Sequence, residues 1–373
     1  MGCIRFLHLA DLHLGRPLDF LKEYDSYYIY SNFLNNISEI IEKENIDFVL
    51  LCGDIFNNNY IEYRYRLLFK KLIKQNSHIN FYYIAGNHDL YSKTFLSFIL
   101  SEPNFKVFDN EGINSFAEGD IKIYGCSFDY KNPSKNPYNN LDKDYFYKNS
   151  VVLMHCNLVD LVSDHENYFP ISIDQLSKFE ANCYFALGHI HNYFLHEFDN
   201  KIVSYPGSPL PVRKNEVGQR YVNIVECENE KFAVKKHPLN FYIDEKVLNV
   251  NTHFNFNDVE TLLMDLENDN LFYKVIFTGE INADVYENLI LNKSELLDNL
   301  QNIVDIDIDS LIVKAESEEL NTPFYKILEE EFRKFEFSIN DKLRKVINKY
   351  DLDVNIEKVK KKAFNLLISR LMK

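Results

Sequence analysis

The chain contains no tryptophan, so its 30 phenylalanines and 25 tyrosines supply every aromatic ring. It also lacks any Cys-x-x-Cys pair. Its six cysteines, Cys3, Cys52, Cys126, Cys156, Cys183 and Cys227, are scattered, and most sit in or beside apolar strand-like runs. That argues against a zinc site or a disulfide framework and for reduced thiols packed near the core of a cytoplasmic protein. No apolar run approaches the length of a membrane span, so no membrane contact is expected. No secretory segment opens the chain either, because Met1-Gly2-Cys3-Ile4-Arg5 runs straight into a strand-like segment. An early strand would bury that Met-Gly, which makes it a poor myristoylation signal.

Positive charge is scarce as well. The formal net charge is −15, with about −6 over residues 1–240, about −16 over 241–332 and about +7 over the last forty or so. An acidic chain is not the usual nucleic-acid binder. A site for divalent cations needs carboxylates, however, so the total charge does not decide the substrate. With 373 residues and a hydrophobic fraction of 46%, the chain has room for two domains and an ordinary core.

Short apolar runs alternate with amphipathic ones in the first part. Ile4–Ala10, Phe48–Leu51 and Ile79–Ala85 read as strands, and Ser31–Glu44 and Ile61–Gln75 as helices. Further strands are expected at Ile121–Phe128, Val151–His155 and Cys183–Leu187, with a hairpin across Phe194–Tyr205 turning at Asp199-Asn200. Tyr130–Asn149, rich in Asn, Lys and Pro, reads as a surface loop bordering the site. This alternation predicts a layered α/β fold. Beyond Leu239 strand-like runs (Lys246–Val250, Phe272–Thr278, Val304–Val313) alternate with helical ones (Asp258–Asp265, Ser294–Asn299). From Pro323 onward two helices are expected, broken around Asp351–Asn355. The last carries an apolar stripe of Val359, Ala363, Phe364, Leu367 and Leu371.

Polar residues recur just after the strands. Asp11-Leu12-His13 follows the first, Gly53-Asp54 the second and Gly86-Asn87-His88-Asp89 the third. His155 ends a later strand, and Gly188-His189-Ile190-His191 ends another. Ligands of α/β folds bind at the carboxyl ends of strands, so five strand ends would deliver these side chains to one edge. Imidazoles and carboxylates without thiolate suit manganese, iron or zinc. In Asp-x-His and His-x-His, alternate residues of an extended backbone point the same way and can close on one ion. A shared carboxylate, here Asp54, would hold two ions about 3.5–4 Å apart, the spacing of two-metal phosphoryl chemistry. Each piece alone reads equally as a polar turn or a hydrogen-bonded histidine; the ordered conjunction does not.

That ordered set resembles the calcineurin-like metallophosphoesterase superfamily. Phe6-Leu7-His8-Leu9-Ala10-Asp11-Leu12-His13-Leu14-Gly15, Cys52-Gly53-Asp54-Ile55-Phe56, Ala186-Leu187-Gly188-His189-Ile190-His191, and Tyr205-Pro206-Gly207-Ser208-Pro209 followed by Glu216-x-Gly218 resemble its DNA-repair nuclease branch. That branch includes SbcD and YhaO, nuclease partners of coiled-coil ABC-type ATPases of the SbcC kind. The motifs cover roughly residues 4–225. The resemblance implies a layered β-sandwich core flanked by helices over residues 1–240. It further implies a small α/β capping domain over 241–320 and a helical partner-docking region over 321–373. One ion would be held by Asp11, His13, Asp54 and His191, the other by Asp54, Asn87, His155 and His189, with manganese the expected metal. His88 matches the family's catalytic histidine, which stabilises the transition state and protonates the leaving oxygen. DNA and an SbcC-like ATPase are the implied partners, and a homodimer is left open.

One position departs from the pattern. Asn57 stands where the family often places an acid or a histidine to orient the catalytic histidine, and Asp89 is a candidate substitute. His8 reads as structural, and His78, His165, His196, His237 and His253 as packed or solvated. Arg16, Arg64, Arg66 and Arg213 lie in segments near the site edge and could reach phosphates or pair on the surface. Lys360-Lys361-Lys362 could meet DNA, an acidic partner or water. Three functions compete: a metal-dependent DNA nuclease, a phosphodiesterase or phosphatase for nucleotides and small phosphoesters, and a non-catalytic interaction module on the same fold. The complete ligand set with His88 argues against the third, and the extra C-terminal region favours the first.

Overall fold

Every apolar run that precedes one of the polar motifs folds as a strand. A computed structural model describes residues 3–21, 24–161, 168–266 and 271–314. The expected helices after Pro323, the region 321–373 with its basic run, and His165 lie outside the described residues. Contacts divide the chain into two units, Met1–Tyr242 and Ile243–Lys373.

In the first unit the order is β1 (Ile4–Leu9), α1 (Ser26–Lys43), β2 (Phe48–Cys52), α2 (Tyr63–Gln75), β3 (Asn80–Ile84), α3 (Lys93–Leu96) and β4 (Phe105–Val107). Then come β5 (Asn114–Glu118), β6 (Ile121–Gly125), β7 (Asn149–His155), α4 (Ile173–Ser177), β8 (Asn182–Gly188), β9 (Phe194–Phe198), β10 (Lys201–Tyr205), β11 (Tyr221–Glu228) and β12 (Lys231–Pro238). They form two six-stranded sheets, ordered β12-β11-β1-β2-β3-β4 and β5-β6-β7-β8-β10-β9. In each sheet the strands that end in the motifs run parallel, which sends their carboxyl ends to one edge.

The sheets pack face to face. Phe6, Phe48, Leu50 and Tyr82 of the first share one core with Ile123, Val151, Leu153 and Tyr184 of the second. Phe6 stacks on Phe48 at 4.8 Å between ring centres, and truncating either to alanine would cost about 3–5 kcal/mol. The alternate residues Leu7, Leu9, Val49 and Leu51 are buried too, so both faces of the first sheet are covered. Phe69 of α2 packs against Phe105 of β4 on that outer face. The far face of the second sheet is covered by Tyr138, Phe146, Phe169 and Phe179. Tyr138 and Phe146 belong to the segment read as a surface loop. It is irregular, as expected, yet these rings bury enough apolar area to draw it into the core.

α1 starts at Ser26, ahead of the expected Ser31. The Tyr-Tyr-Ile-Tyr run favours strand by propensity, but the Asp25 side chain accepts from the Tyr27 N–H and caps the helix. The second unit holds β13 (Ile243–Val250), α5 (Phe256–Leu266), β14 (Phe272–Asn282), α6 (Ala283–Asn299) and β15 (Ile303–Lys314). Its three strands form a parallel sheet in that order. Val259, Leu263, Val275, Phe277, Tyr286 and Ile306 make its core. The whole is a mixed α/β protein built on a layered two-sheet sandwich.

Candidate metal centre

At the motif edge the backbone is strained at four of the candidate ligands. Asp11, His13, Asp54 and His189 have φ of 54°, 49°, 52° and 105°. Residues other than glycine rarely adopt such values, and several at one edge mark a functional constraint. The two Asp-bearing loops are stitched together: Asp11 N–H donates to Gly53 O (3.1 Å), His13 N–H to Asp54 O (2.9 Å) and Leu14 N–H to Ile55 O (2.8 Å). Gly53 has φ of 83°, and a side chain there would run into the His155 ring; one at Gly188 would overlap the Cys52 carbonyl.

The strand-end residues named from sequence converge. Ligand atoms of Asp11, His13 and His191 lie within 4.8 Å of one another, as do those of Asp54, His155 and His189, and those of His13, Asp54 and His88. Asn87 joins the second group: its Oδ1 is 3.0 Å from His155 Nε2 and 3.0 Å from His189 Nδ1. Asp54 stands between the groups, with Oδ2 3.4 Å from His155 Nε2 and 3.9 Å from His13 Nε2.

The donor chemistry fits cations. His13 Nε2 faces His191 Nε2 at 3.1 Å, and among the described residues His13 Nδ1 has no hydrogen-bond partner. His155 donates from Nδ1 to the Cys52 carbonyl (3.0 Å), and His191 donates from Nδ1 to Glu216 Oε1 (2.7 Å). Each of these bonds turns Nε2 toward the cluster, the ring orientation a metal-binding imidazole requires; burial acts downward on His155, but the Asp54 carboxylate outweighs it and pushes the ring up to about 9. Burial pushes His13 and His189 down to about 3, so both are neutral at pH 7. Burial also pushes Asp11 up to about 6. For Asp54 burial acts upward, but His155, His13 and His88 outweigh it and hold the carboxyl below its usual range. Two carboxylates this deep need positive charge nearby.

His88 is exposed at the rim. Its ring meets the His13 ring at 4.8 Å and 86°, and its N–H donates to Asp54 Oδ1 (2.8 Å). Asn57 donates its backbone N–H to Leu14 O; among the described residues no hydrogen bond joins it to His88. Asp89 does not take over that role. Its Oδ1 accepts from Asp54 N–H (3.0 Å) and Gly86 N–H (2.7 Å), and its Oδ2 from Ile55 N–H (2.8 Å), Phe56 N–H (3.2 Å) and the Tyr83 hydroxyl (3.0 Å). It is fully buried and braces the Asp54 turn from below. Burial and the nearby Asp54 push its carboxyl up to about 7, against the pull of those donors.

Among the other residues singled out, His8 is buried between the Tyr184 hydroxyl (2.8 Å) and Leu187 O (3.2 Å), a structural role. Arg66 lies over Phe95 and donates to Asn59 O and Ile61 O. Arg64 pairs with Glu62 at 2.9 Å. Arg16 and Arg213 carry no ion pair or side-chain hydrogen bond among the described residues, and their charges act on His13 and His191. Glu216 was visible only as part of a motif. Its Oε2 also accepts from Val212 N–H (2.8 Å) and Ser208 Oγ (3.3 Å), so it locks the loop that carries it against His191.

A two-sheet α/β sandwich with a histidine–carboxylate cluster at its strand ends is the architecture of a metallophosphoesterase. The family model for calcineurin-like phosphoesterases matches residues 4–204, and the chain belongs to that family. It is similar to the metallophosphoesterase YhaO of Bacillus subtilis, with 27% identity over 239 residues, 61% of this chain and 58% of that protein. It is similar to the DNA double-strand break repair protein Mre11 of Methanocaldococcus jannaschii, with 28% identity over 225 residues, 57% of this chain and 58% of that one. The protein of the same name from Saccharolobus solfataricus is 25% identical over 307 residues, 74% of this chain and 76% of that one. The match thus spans 58% of the length of each of the first two relatives.

Proposed function

We propose that the protein is a metal-dependent DNA nuclease that hydrolyses phosphodiester bonds, working in the cytoplasm beside a coiled-coil ABC-type ATPase of the SbcC kind. The observation that carries this reading is the pair of ligand groups meeting at Asp54. Asp11, His13, Asp54 and His191 would hold one divalent ion, and Asp54, Asn87, His155 and His189 a second; manganese suits this oxygen–nitrogen set. Bound there, the ions supply Lewis-acid activation of water and offset charge on the phosphoryl oxygens. His88, exposed at the rim and held by its N–H on Asp54, presents its ring to protonate the leaving oxygen. Arg16 and Arg213, which have no acidic partner among the described residues, would take phosphates beside the cluster.

DNA is favoured over a small phosphoester because relatives that share this core are named for double-strand break repair. On this reading residues 241–320 act as a cap and 321–373 as the docking region for the ATPase. The six cysteines, none of them in a disulfide, suit a reducing compartment. The test is a manganese-dependent digestion panel of linear duplex, hairpin and single-stranded DNA, cyclic nucleotides and a chromogenic diester. Degradation of DNA is expected. Turnover of the cyclic nucleotides or the diester with intact DNA would replace this reading with the small-phosphoester one.

A further inference from the structure

Arg220 is only 5% exposed and stands just ahead of β11 with its backbone fixed. Its carbonyl accepts from Leu239 N–H (2.9 Å) and from Gln219 Nε2 (3.1 Å). From that anchor its guanidinium reaches two loops. Nη1 donates to His191 O (3.3 Å) and to Ser208 Oγ (3.4 Å), and Nη2 donates to Val217 O (3.2 Å). Ser208 bonds the Glu216 carboxylate, and Val217 follows Glu216 in the chain. One side chain therefore grips the backbone of His191 and two points next to the partner of its ring. The loops are close there: Ser208 N–H donates to His191 O (3.0 Å), and a side chain at Gly207, whose φ is 79°, would run into the same carbonyl.

Among the described residues the hydrogen bonds of Arg220 all go to neutral oxygens, and its Nε has no partner. A buried charge held this way is costly, and an apolar side chain of similar volume would fill the space at lower cost. Burial pushes the guanidinium down, and the Glu216 charge acts against it. What arginine adds over methionine or lysine is a flat fork that can meet two loops at once. The segment from 206 to 220 lies between β10 and β11 and holds no helix or strand. A ligand must nevertheless be held within about 0.5 Å of its working position. We propose that Arg220 is a positioning residue of the metal centre: its fork locks the His191 backbone to the Glu216 loop, so that the ring of His191 is aimed at the ion it would share with Asp11 and His13. The proposal rests on the reading of the cluster as a metal centre.

The full-length protein, Arg220→Met and Arg220→Lys are titrated with manganese. The metal-free forms are compared by ring hydrogen–nitrogen NMR, which reads the Nδ1 hydrogen that His191 holds on Glu216. Methionine fills the stem without charge or fork, and lysine keeps the charge but meets one loop at a time. In Arg220→Met the ion shared with Asp11 and His13 is expected to bind about tenfold more weakly, with a smaller effect at the other ion. The Nδ1 signal should broaden or vanish. Arg220→Lys should stay weak at the same ion, and it carries the test by the same two measurements if Arg220→Met does not fold. Equal loss at both ions would make Arg220 a general support of the fold and overturn the proposal. Wild-type affinity in either variant would overturn it while leaving the metal reading intact. An unchanged Nδ1 signal beside a weakened ion would overturn it as well, because the His191–Glu216 bond would then not depend on Arg220. A wild-type protein that binds no divalent ion would overturn the metal reading itself, and the role of Arg220 with it.

Discussion

The Glu216 carboxylate accepts the Nδ1 hydrogen of His191 at 2.7 Å, although the two residues belong to different loops. Its second oxygen is occupied by Val212 N–H and Ser208 Oγ, so the carboxylate can neither rotate nor slide. Burial acts to raise its pKa, but the bond to His191 holds it below the usual range, and the same bond raises His191 despite burial. An imidazole partnered by a fixed carboxylate is a more basic and better aimed ligand. Glu216→Gln keeps an acceptor but removes the charge and turns one arm into a donor facing Val212 N–H. Metal affinity should fall about 10–100-fold at the ion that Asp11, His13 and His191 would hold, and less at the other. Metal titration of the variant reads this directly; unchanged affinity at both ions would remove the role.

Asp89 invites a sharper test. Both of its oxygens face only donors: two backbone N–H groups on Oδ1, two more and a tyrosine hydroxyl on Oδ2. Asp89→Asn is nearly isosteric, but whichever way the amide is turned its NH2 must oppose at least two donors in a dry site. The expected loss is about 2–4 kcal/mol of unfolding free energy, measured by denaturant unfolding without metal. A variant as stable as the parent would show that the turn does not depend on this carboxylate.

The contrast between these residues and the ligands explains what the sequence could reveal. A ligand on a strand end must stand next to an apolar run and a permissive turn, so Asp11, Gly53-Asp54 and Gly188-His189 are visible in the linear order. The role of Glu216 depends on a contact with His191 across 25 positions; the motif marks the residue but not that contact. Adjacency to His88 makes Asp89 a candidate partner, whereas the tight Gly86–Asp89 turn points its carboxylate inward. The same logic governs the fold. Parallel buried strands read clearly as apolar runs. The edge strands β5 and β12 alternate exposed and half-buried residues and carry many lysines and a glutamate, so they blend into loops. α6 spans Ala283–Asn299, well ahead of the expected start at Ser294; Asn288 and Asn292 dilute its apolar stripe.

His88 is set apart from the other cluster residues by exposure. It belongs to one of the three ligand groups, so it is either a proton donor or a ligand, and the two roles separate experimentally. His88→Ala should leave two ions bound and the fold intact, because the contact holding this turn on Asp54 is made by the backbone N–H. Manganese-dependent turnover should fall about 10²–10⁴-fold. Metal analysis beside the rate decides between them: loss of an ion along with the activity would make His88 a ligand.

Asp54 is the residue whose removal should disturb both groups at once, and the choice of substitution matters. With φ of 52°, the position would be strained as alanine, whereas asparagine tolerates the left-handed region. Asp54→Asn therefore removes the charge between the groups while keeping the backbone and an oxygen to accept from His88 N–H. Both ions should bind more weakly, whereas Asp11→Asn should weaken chiefly the ion that Asp11 shares with His13 and His191. In the unaltered protein, chelation should abolish hydrolysis reversibly, and added manganese at about 100 times its dissociation constant should raise stability by about 2.7 kcal/mol. That increment should shrink in Asp54→Asn in proportion to the affinity lost. Full retention of either ion in Asp54→Asn would mean that the two groups act independently, and the shared carboxylate would have to be given up.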